Sequence, residues 1–144
     1  MTEPDTIKLL RECDAGIKTG IASIDDVLDY VSDSGFKQKL RNCKSEHVTM
    51  MNEIQSLLNQ YQDDGKEPDA LARGMSFIKT NVKLVLNESD QTIADLMTDG
   101  CNMGIKSLHK YLNQYQAADE TAKDIAKRLI HLEENLNAGM QDYL

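Results

Sequence analysis

Residues 36–61 of this chain read FKQKLRNCKSEHVTMMNEIQSLLNQY. Apolar residues recur in this stretch at steps of three or four, the spacing of one face of an α-helix packed into a core. The seam consists of Phe36, Leu40, Cys43, His47, Met50, Ile54, Leu57 and Tyr61. His47 matters most within it, because an ionisable side chain buried without a partner costs several kcal/mol. We therefore expect His47 to be hydrogen-bonded, bound to a ligand or in contact with solvent.

The preceding stretch, residues 4–31, carries the same pattern and a second buried polar residue. Its seam consists of Ile7, Leu10, Asp14, Ile17, Ile21, Ile24, Leu28 and Val31. The sequence predicts one helix over 4–31 and a second over 36–61, joined by the short turn 32–35, with Ser34 as the N-cap of the second. Asp14 needs a partner for the same reason as His47.

Three further helices are predicted along the rest of the chain. A break at 63–67 precedes a shorter helix over 68–86. A helix from Ser89 as N-cap to Tyr115 follows, and Asp119 caps the last one. The four long helices measure about 40 Å each and the shorter one about 28 Å. These lengths predict an all-α fold: a ferritin-like antiparallel four-helix bundle with a helical crossover between helices two and three of the bundle, five helices in all. Residues 1–144 form one domain.

The composition of the chain indicates which kinds of partner and location are expected. The chain has 144 residues and a formal net charge of −8, without a basic patch, so binding to nucleic acid through phosphates is not expected. No apolar run is long enough to span a membrane and no signal peptide is recognised, which predicts a cytoplasmic protein. Cys13, Cys43 and Cys101 are dispersed and odd in number, so we expect reduced thiols that act as small core residues.

A repeated pentapeptide, LNQYQ, ends the second helix at 58–62 and the fourth predicted helix at 112–116. Aligning the two copies, together with the two short turns, gives a register along the bundle. This register places His47 level with Gly20, Cys101 and Glu134. Convergent helix-end composition is the alternative explanation of the repeat.

Two pairs of glycines lie on neighbouring helices in this register. Gly16 and Gly20 are four residues apart, as are Gly100 and Gly104, so each pair lies on one helix face. Glycine inside a helix costs up to about 1 kcal/mol relative to alanine. We expect the two small faces to allow a close backbone approach. Independent helix kinks are the alternative.

Three short segments carry a resemblance to a known group. The helix pattern and the segments at 12–16 (ECDAG), 45–47 (SEH) and 131–134 (HLEE) resemble bacterial ferritin-like four-helix-bundle proteins of unknown function. The wider ferritin-like group binds two iron or manganese ions through two Glu and two Glu-x-x-His motifs. The chain departs from that pattern, because it contains no Glu-x-x-His.

The departure leaves three functional hypotheses. The first is a structural or interaction protein without catalytic activity or cofactor, in which His47 is a core histidine hydrogen-bonded to a carboxylate. The alternative is a metal-binding protein, with iron or zinc held by His47, Cys101 and Glu134 and by Glu46 or His131 nearby. A redox or oxygen-activating enzyme is the third. In addition, Cys43 lies one turn before His47, so contact between the thiol and the imidazole, and with it a catalytic thiol, is considered.

The predicted crossover helix also bears on partners. Residues 68–86 have an apolar seam and, on another face, Phe77 and Leu84. This second face predicts a homodimer interface, whereas neither a nucleic acid nor a membrane is expected as a partner.

Overall fold

The computed structural model describes residues 3–66 and 89–144, which contain α-helices and no β-strand. We label the helices α1, Pro4–Leu28; α2, Ser34–Gln60; α3, Asp90–Gln114; and α4, Glu120–Met140. A 3-10 turn, Gln141–Tyr143, follows α4. The all-α prediction is confirmed for these residues, and none of their helices is long and apolar enough to cross a membrane. The predicted helix over 68–86, and with it the predicted dimer interface, lies outside the described residues.

The starts of three helices are fixed by side-chain caps. Ser89 and Asp119 cap α3 and α4 as predicted, accepting hydrogen bonds from the backbone N–H groups three residues on. The predicted cap of α2 is wrong by one residue. Asp33, and not Ser34, accepts from the Phe36 N–H at 2.8 Å. The carboxylate is the better partner because its negative charge is also stabilised by the positive end of the helix.

Two sets of contacts between distant segments establish the helix directions. At one end of the bundle, the Thr6 hydroxyl of α1 accepts a hydrogen bond from the Asp119 N–H before α4, at 2.8 Å. At the other end, the Asp90 carboxylate of α3 accepts from the Ser32 and Asp33 N–H groups, each at 2.8 Å. α1 and α4 therefore run in one direction and α2 and α3 in the other. The end of α2 and the start of α3 therefore lie at opposite ends of the bundle.

Both polar residues of the predicted seams are in the core. Asp14 and His47 are fully buried, together with most of the apolar seam residues around them. On α2 the seam ends on Leu58, which is buried, while the predicted Leu57 is half-buried. The largest fully buried side chains are Phe36, Leu9, Leu10, Ile17, Ile24, Leu40, Ile54, Leu58, Ile93, Ile125, Leu129 and Met140.

The glycine pairs of α1 and α3 do not bring the two backbones together. A Cβ atom on Gly16 or Gly100 would meet no atom of the described residues within 4 Å. A Cβ atom on Gly104 would first meet the Glu133 carboxylate, at 3.9 Å. The predicted close approach of the helices is therefore wrong. The glycines line a cavity between α1 and α3, because the side chains that would fill this space are absent.

Candidate functional site

A buried histidine at the centre of the bundle makes two strong hydrogen bonds. Nδ1 of His47 lies 2.8 Å from the Cys43 carbonyl oxygen, one turn earlier in α2, and 3.4 Å from Sγ of the same cysteine. Nε2 lies 3.0 Å from Oε1 of Glu133, which α4 contributes. A carbonyl oxygen and a carboxylate are both acceptors, so the ring donates from both nitrogens. This geometry favours an imidazolium paired with the Glu133 carboxylate.

The pKa of His47 agrees with this protonation state. Burial by itself lowers the pKa of the imidazole, because it disfavours the charged form. The hydrogen bonds to the Cys43 and Glu133 side chains and the nearby negative charge act in the opposite direction, and they raise the pKa to about 10. His47 is therefore charged at neutral pH.

The space for the imidazole ring is provided by α1. A Cβ atom on Gly20 would lie 2.8 Å from Nε2 and 2.9 Å from Cδ2 of His47, which is closer than carbon atoms pack. The glycine therefore allows the ring to lie against the α1 backbone. The predicted level of His47 with Gly20 is confirmed.

A buried thiol from α3 completes the cluster. The side chain of Cys101 hydrogen-bonds to Glu133, so the carboxylate receives both the imidazolium N–H and the thiol S–H. Burial and then the charge of Glu133 raise the pKa of Cys101 far above its usual value, and burial raises the pKa of Cys13 to about 12. Both thiols stay protonated at neutral pH, where the thiolate is the reactive form.

The structure brings together two of the five residues predicted to bind a metal. His47 and Cys101 meet at the centre, and the carboxylate between them is Glu133 instead of the predicted Glu134. Glu134 and His131 face outward, with 53% and 77% of their side chains exposed, and lie 3.7 Å apart. Glu46 is exposed on α2.

Metal binding by those five residues stays a prediction. Among residues 3–66 and 89–144, no group of three or more His, Cys, Asp or Glu side chains has the arrangement to hold a metal ion. Glu133 could have been found from the sequence, because it lies four residues after Leu129 and three before Leu136, at the spacing of one helix face.

A cavity of about 680 Å³ lies beside this cluster, between α1 and α3. His47, Cys101 and Glu133 form one polar part of the cavity wall, and Glu12, Thr19, Ser23, Lys66, Asp99 and Ser107 also line it. The rest of the wall is largely apolar, and it includes Gly16, Gly20, Gly100 and Gly104. Its other lining residues include Ile24, Leu96, Met97, Met103, Leu108, Tyr111 and Leu129.

Asp14 belongs to a second polar group at one end of the same cavity. Its Oδ2 lies 2.9 Å from Nζ of Lys18 and accepts a hydrogen bond from the Lys66 N–H at 3.1 Å. The Lys66 ammonium in turn contacts Oε1 of Glu12 at 2.7 Å. Asp14 therefore joins the end of the described segment 61–66 to α1, and Glu12 and Lys66 line the cavity.

Comparisons of this chain with family models, with curated proteins and with solved structures found no match. The chemistry of the site is therefore inferred from its own residues.

Proposed function

We propose that this protein is a non-catalytic binding protein, which holds one small and largely apolar molecule in the cavity between α1 and α3. One observation carries the proposal. The cavity measures about 680 Å³, and small-molecule sites in proteins are mostly apolar clefts of roughly 300–1,000 Å³ with a few fixed polar groups. The His47–Glu133 pair supplies such groups.

The helix glycines support the cavity between α1 and α3 as a binding site. Each glycine within a helix costs up to about 1 kcal/mol relative to alanine, and Gly16, Gly20, Gly100 and Gly104 all line this one cavity. At Gly16 and Gly100 a methyl group would meet no described atom, so packing among the described residues does not require a glycine there. Preservation of the cavity accounts for these two positions.

The protonation states support binding over catalysis. Cys101 is held as a thiol, and both nitrogens of His47 are engaged with acceptors. Sγ of Cys43 lies 3.4 Å from Nδ1 of His47, but Cys43 does not line the cavity, so a molecule bound there would not meet this thiol. A nucleophilic thiol needs a neighbouring group that lowers its pKa, and a general base needs a free nitrogen.

The helix directions agree with ferritin-like connectivity, since α2 and α3 run parallel and one long connection joins them.

A neutral fluorescent probe tests the proposal. N-phenyl-1-naphthylamine is apolar and uncharged at neutral pH, and we expect it to bind with a stoichiometry of one. The variant Gly104→Leu places a side chain in the cavity beside Glu133 and should abolish binding. Asn113→Leu adds the same side chain to an exposed position of α3 outside the cavity, and should bind as the native protein does. Absence of binding, or equal binding by both variants, would contradict the proposal.

Metal binding is the second candidate function, because His47, Cys101 and Glu133 lie close together and supply an imidazole, a thiol and a carboxylate, ligand types that zinc and iron accept. Among the described residues these side chains are not arranged to hold an ion, so binding would require them to move and His47 and Cys101 to lose their protons. The test is elemental analysis of protein purified without chelator, before and after anaerobic loading with iron or zinc. Stoichiometric metal that is lost in His47→Ala supports this function. No metal after loading contradicts it.

A further inference from the structure

The charges that line the cavity are not balanced. Among the described residues, three carboxylates line it, those of Glu12, Asp99 and Glu133, against two cations, Lys66 and the protonated His47. Both cations are already engaged, Lys66 with Glu12 at 2.7 Å and His47 with Glu133 at 3.0 Å. The formal charge of the described lining is therefore −1, in a chain whose net charge is −8. A bound cation would be stabilised by this field, whereas an anion would be repelled.

Glu133 provides the point of attachment inside the cavity. Its Oε1 accepts from His47, while Oε2 lies 3.9 Å from where a Cβ atom on Gly104 would be, in the gap that this glycine leaves. The side chain is 13% exposed, so it is largely withdrawn from water. A carboxylate has about four acceptor positions, and His47 and Cys101 use two of them. The Glu133 carboxylate can therefore still accept hydrogen bonds from a molecule in the cavity.

The donors of the cluster are directed at protein atoms instead of the cavity. The imidazolium donates to Cys43 and Glu133, and the Cys101 thiol donates to Glu133. This cluster therefore offers acceptors to a ligand. The rest of the lining suits an apolar body, and Met97 and Met103 contribute polarisable sulfur atoms that favour contact with aromatic rings.

We infer that the ligand is an amphipathic cation: a compact apolar or aromatic body with a protonated amine, whose ammonium group hydrogen-bonds to the Glu133 carboxylate. This inference rests on the proposed function and specifies the class of molecule bound. The amine enters the cavity between α1 and α3 with its charged end toward Glu133, and its body lies against the apolar wall.

Three naphthalene derivatives of matched size test the inference. They are 1-naphthylmethylamine, a cation at pH 7; 1-naphthalenemethanol, which is neutral; and 1-naphthoate, an anion. Dissociation constants are measured by calorimetry or naphthalene fluorescence on the full chain. We expect the amine to bind at least about tenfold more tightly than the alcohol, because hydrogen bonds to charged groups are stronger than neutral ones. The anion should bind most weakly.

The variant Glu133→Gln removes the charge and keeps the shape. We expect it to fold, because a glutamine amide can donate to Nε2 of a neutral His47 while Nδ1 still donates to the Cys43 carbonyl. Circular dichroism checks this. The variant should lose the tenfold preference for the amine and should bind the alcohol within about threefold of the native affinity. His109→Gln, at an exposed position of α3, is the control and should keep the native preference.

The experiments can overturn the amine ligand without overturning the cavity as a binding site. If the amine binds no better than the alcohol, or keeps its advantage in Glu133→Gln, the amine assignment is overturned. Binding of N-phenyl-1-naphthylamine that is lost in Gly104→Leu would then still support the cavity as a binding site. If neither that probe nor any of the three naphthalene compounds binds, both proposals are overturned.

Discussion

A Cβ atom on Gly20 would lie 2.8 Å from Nε2 of His47, so α1 can carry only a glycine at this level while the imidazole ring keeps its position. The ring belongs to α2 and is held by Glu133 of α4. Three helices therefore meet at one buried side chain. The placement of His47 depends on the absence of a methyl group from the neighbouring helix.

This contact predicts opposite effects of the same substitution at two positions of α1. Gly20→Ala forces the imidazole away from one or both of its hydrogen-bond partners, and we expect it to lower the free energy of unfolding by about 1–3 kcal/mol. Gly16→Ala, one turn earlier, meets no described atom. It should raise the free energy of unfolding by up to about 1 kcal/mol, through helix propensity alone.

Urea denaturation of the two variants measures both effects. Because each variant replaces one glycine of α1 by alanine, the difference between them reports the space around His47. If Gly20→Ala were as stable as Gly16→Ala, the ring would have to occupy another position, and the described geometry would be contradicted.

The spacing of apolar residues predicts which side chains are buried better than it predicts which residues meet between helices. The spacing of apolar residues placed Asp14 and His47 in the core correctly, because that spacing follows from the backbone geometry of a helix. The register identified Gly20 and Cys101 as neighbours of His47, but it selected Glu134 where the structure has Glu133. Turn geometry sets the register, and an error of one residue rotates a helical side chain by about 100°.

The glycines show a second limit of the sequence. A pair of small residues on each of two helices is compatible with close packing and with an open cavity, because glycine specifies a missing side chain and not what lies opposite it. Only the positions of α1 and α3 distinguish close packing from an open cavity. In the structure Gly104 faces Glu133 instead of a glycine on α1.

The His47–Glu133 pair predicts that stability falls as the pH rises above neutrality. The pKa of His47 is about 6.5 in the unfolded chain and about 10 in the folded protein. Below pH 6.5 both states carry the proton and the contribution is fully present. Between pH 6.5 and 10 only the folded state carries it, so the free energy of unfolding falls by up to about 1.4 kcal/mol per pH unit. Above pH 10 the contribution is lost.

Denaturation at pH 6.5, 7.5 and 8.5 measures this slope. The range ends there because the raised pKa values of Cys13 and Cys101 add an effect of the same sign near pH 9 and above. His47→Gln should flatten the slope, whereas His109→Gln, at an exposed position, should leave it unchanged. A native slope that is already flat would show that His47 is neutral in the folded protein.

The end of the described segment 61–66 gives a further prediction. Gly65 has a φ of +85°, and a Cβ atom there would lie 2.5 Å from Oδ2 of the buried Asp14. Gly65→Ala therefore combines an unfavourable backbone conformation with a steric clash, and should lower the free energy of unfolding by about 2–4 kcal/mol. Asp64→Ala, at the exposed neighbouring position, should change it by less than about 0.5 kcal/mol. Equal stabilities in thermal denaturation would exclude the contact with Asp14.

Asp90 gives the last prediction, because its carboxylate joins two parts of the chain that are far apart in sequence. One oxygen accepts from the Ser32 N–H and the other from the Asp33 N–H, each at 2.8 Å. Asp90→Ala removes both bonds and a favourable charge in the first turn of α3, and should cost about 1–3 kcal/mol. Asp90→Asn keeps one acceptor oxygen and should cost about half as much. Hydrogen exchange of the Ser32 and Asp33 amides tests the assignment, since both should exchange faster in Asp90→Ala. Unchanged exchange in that variant would show that the turn between α1 and α2 does not depend on this contact.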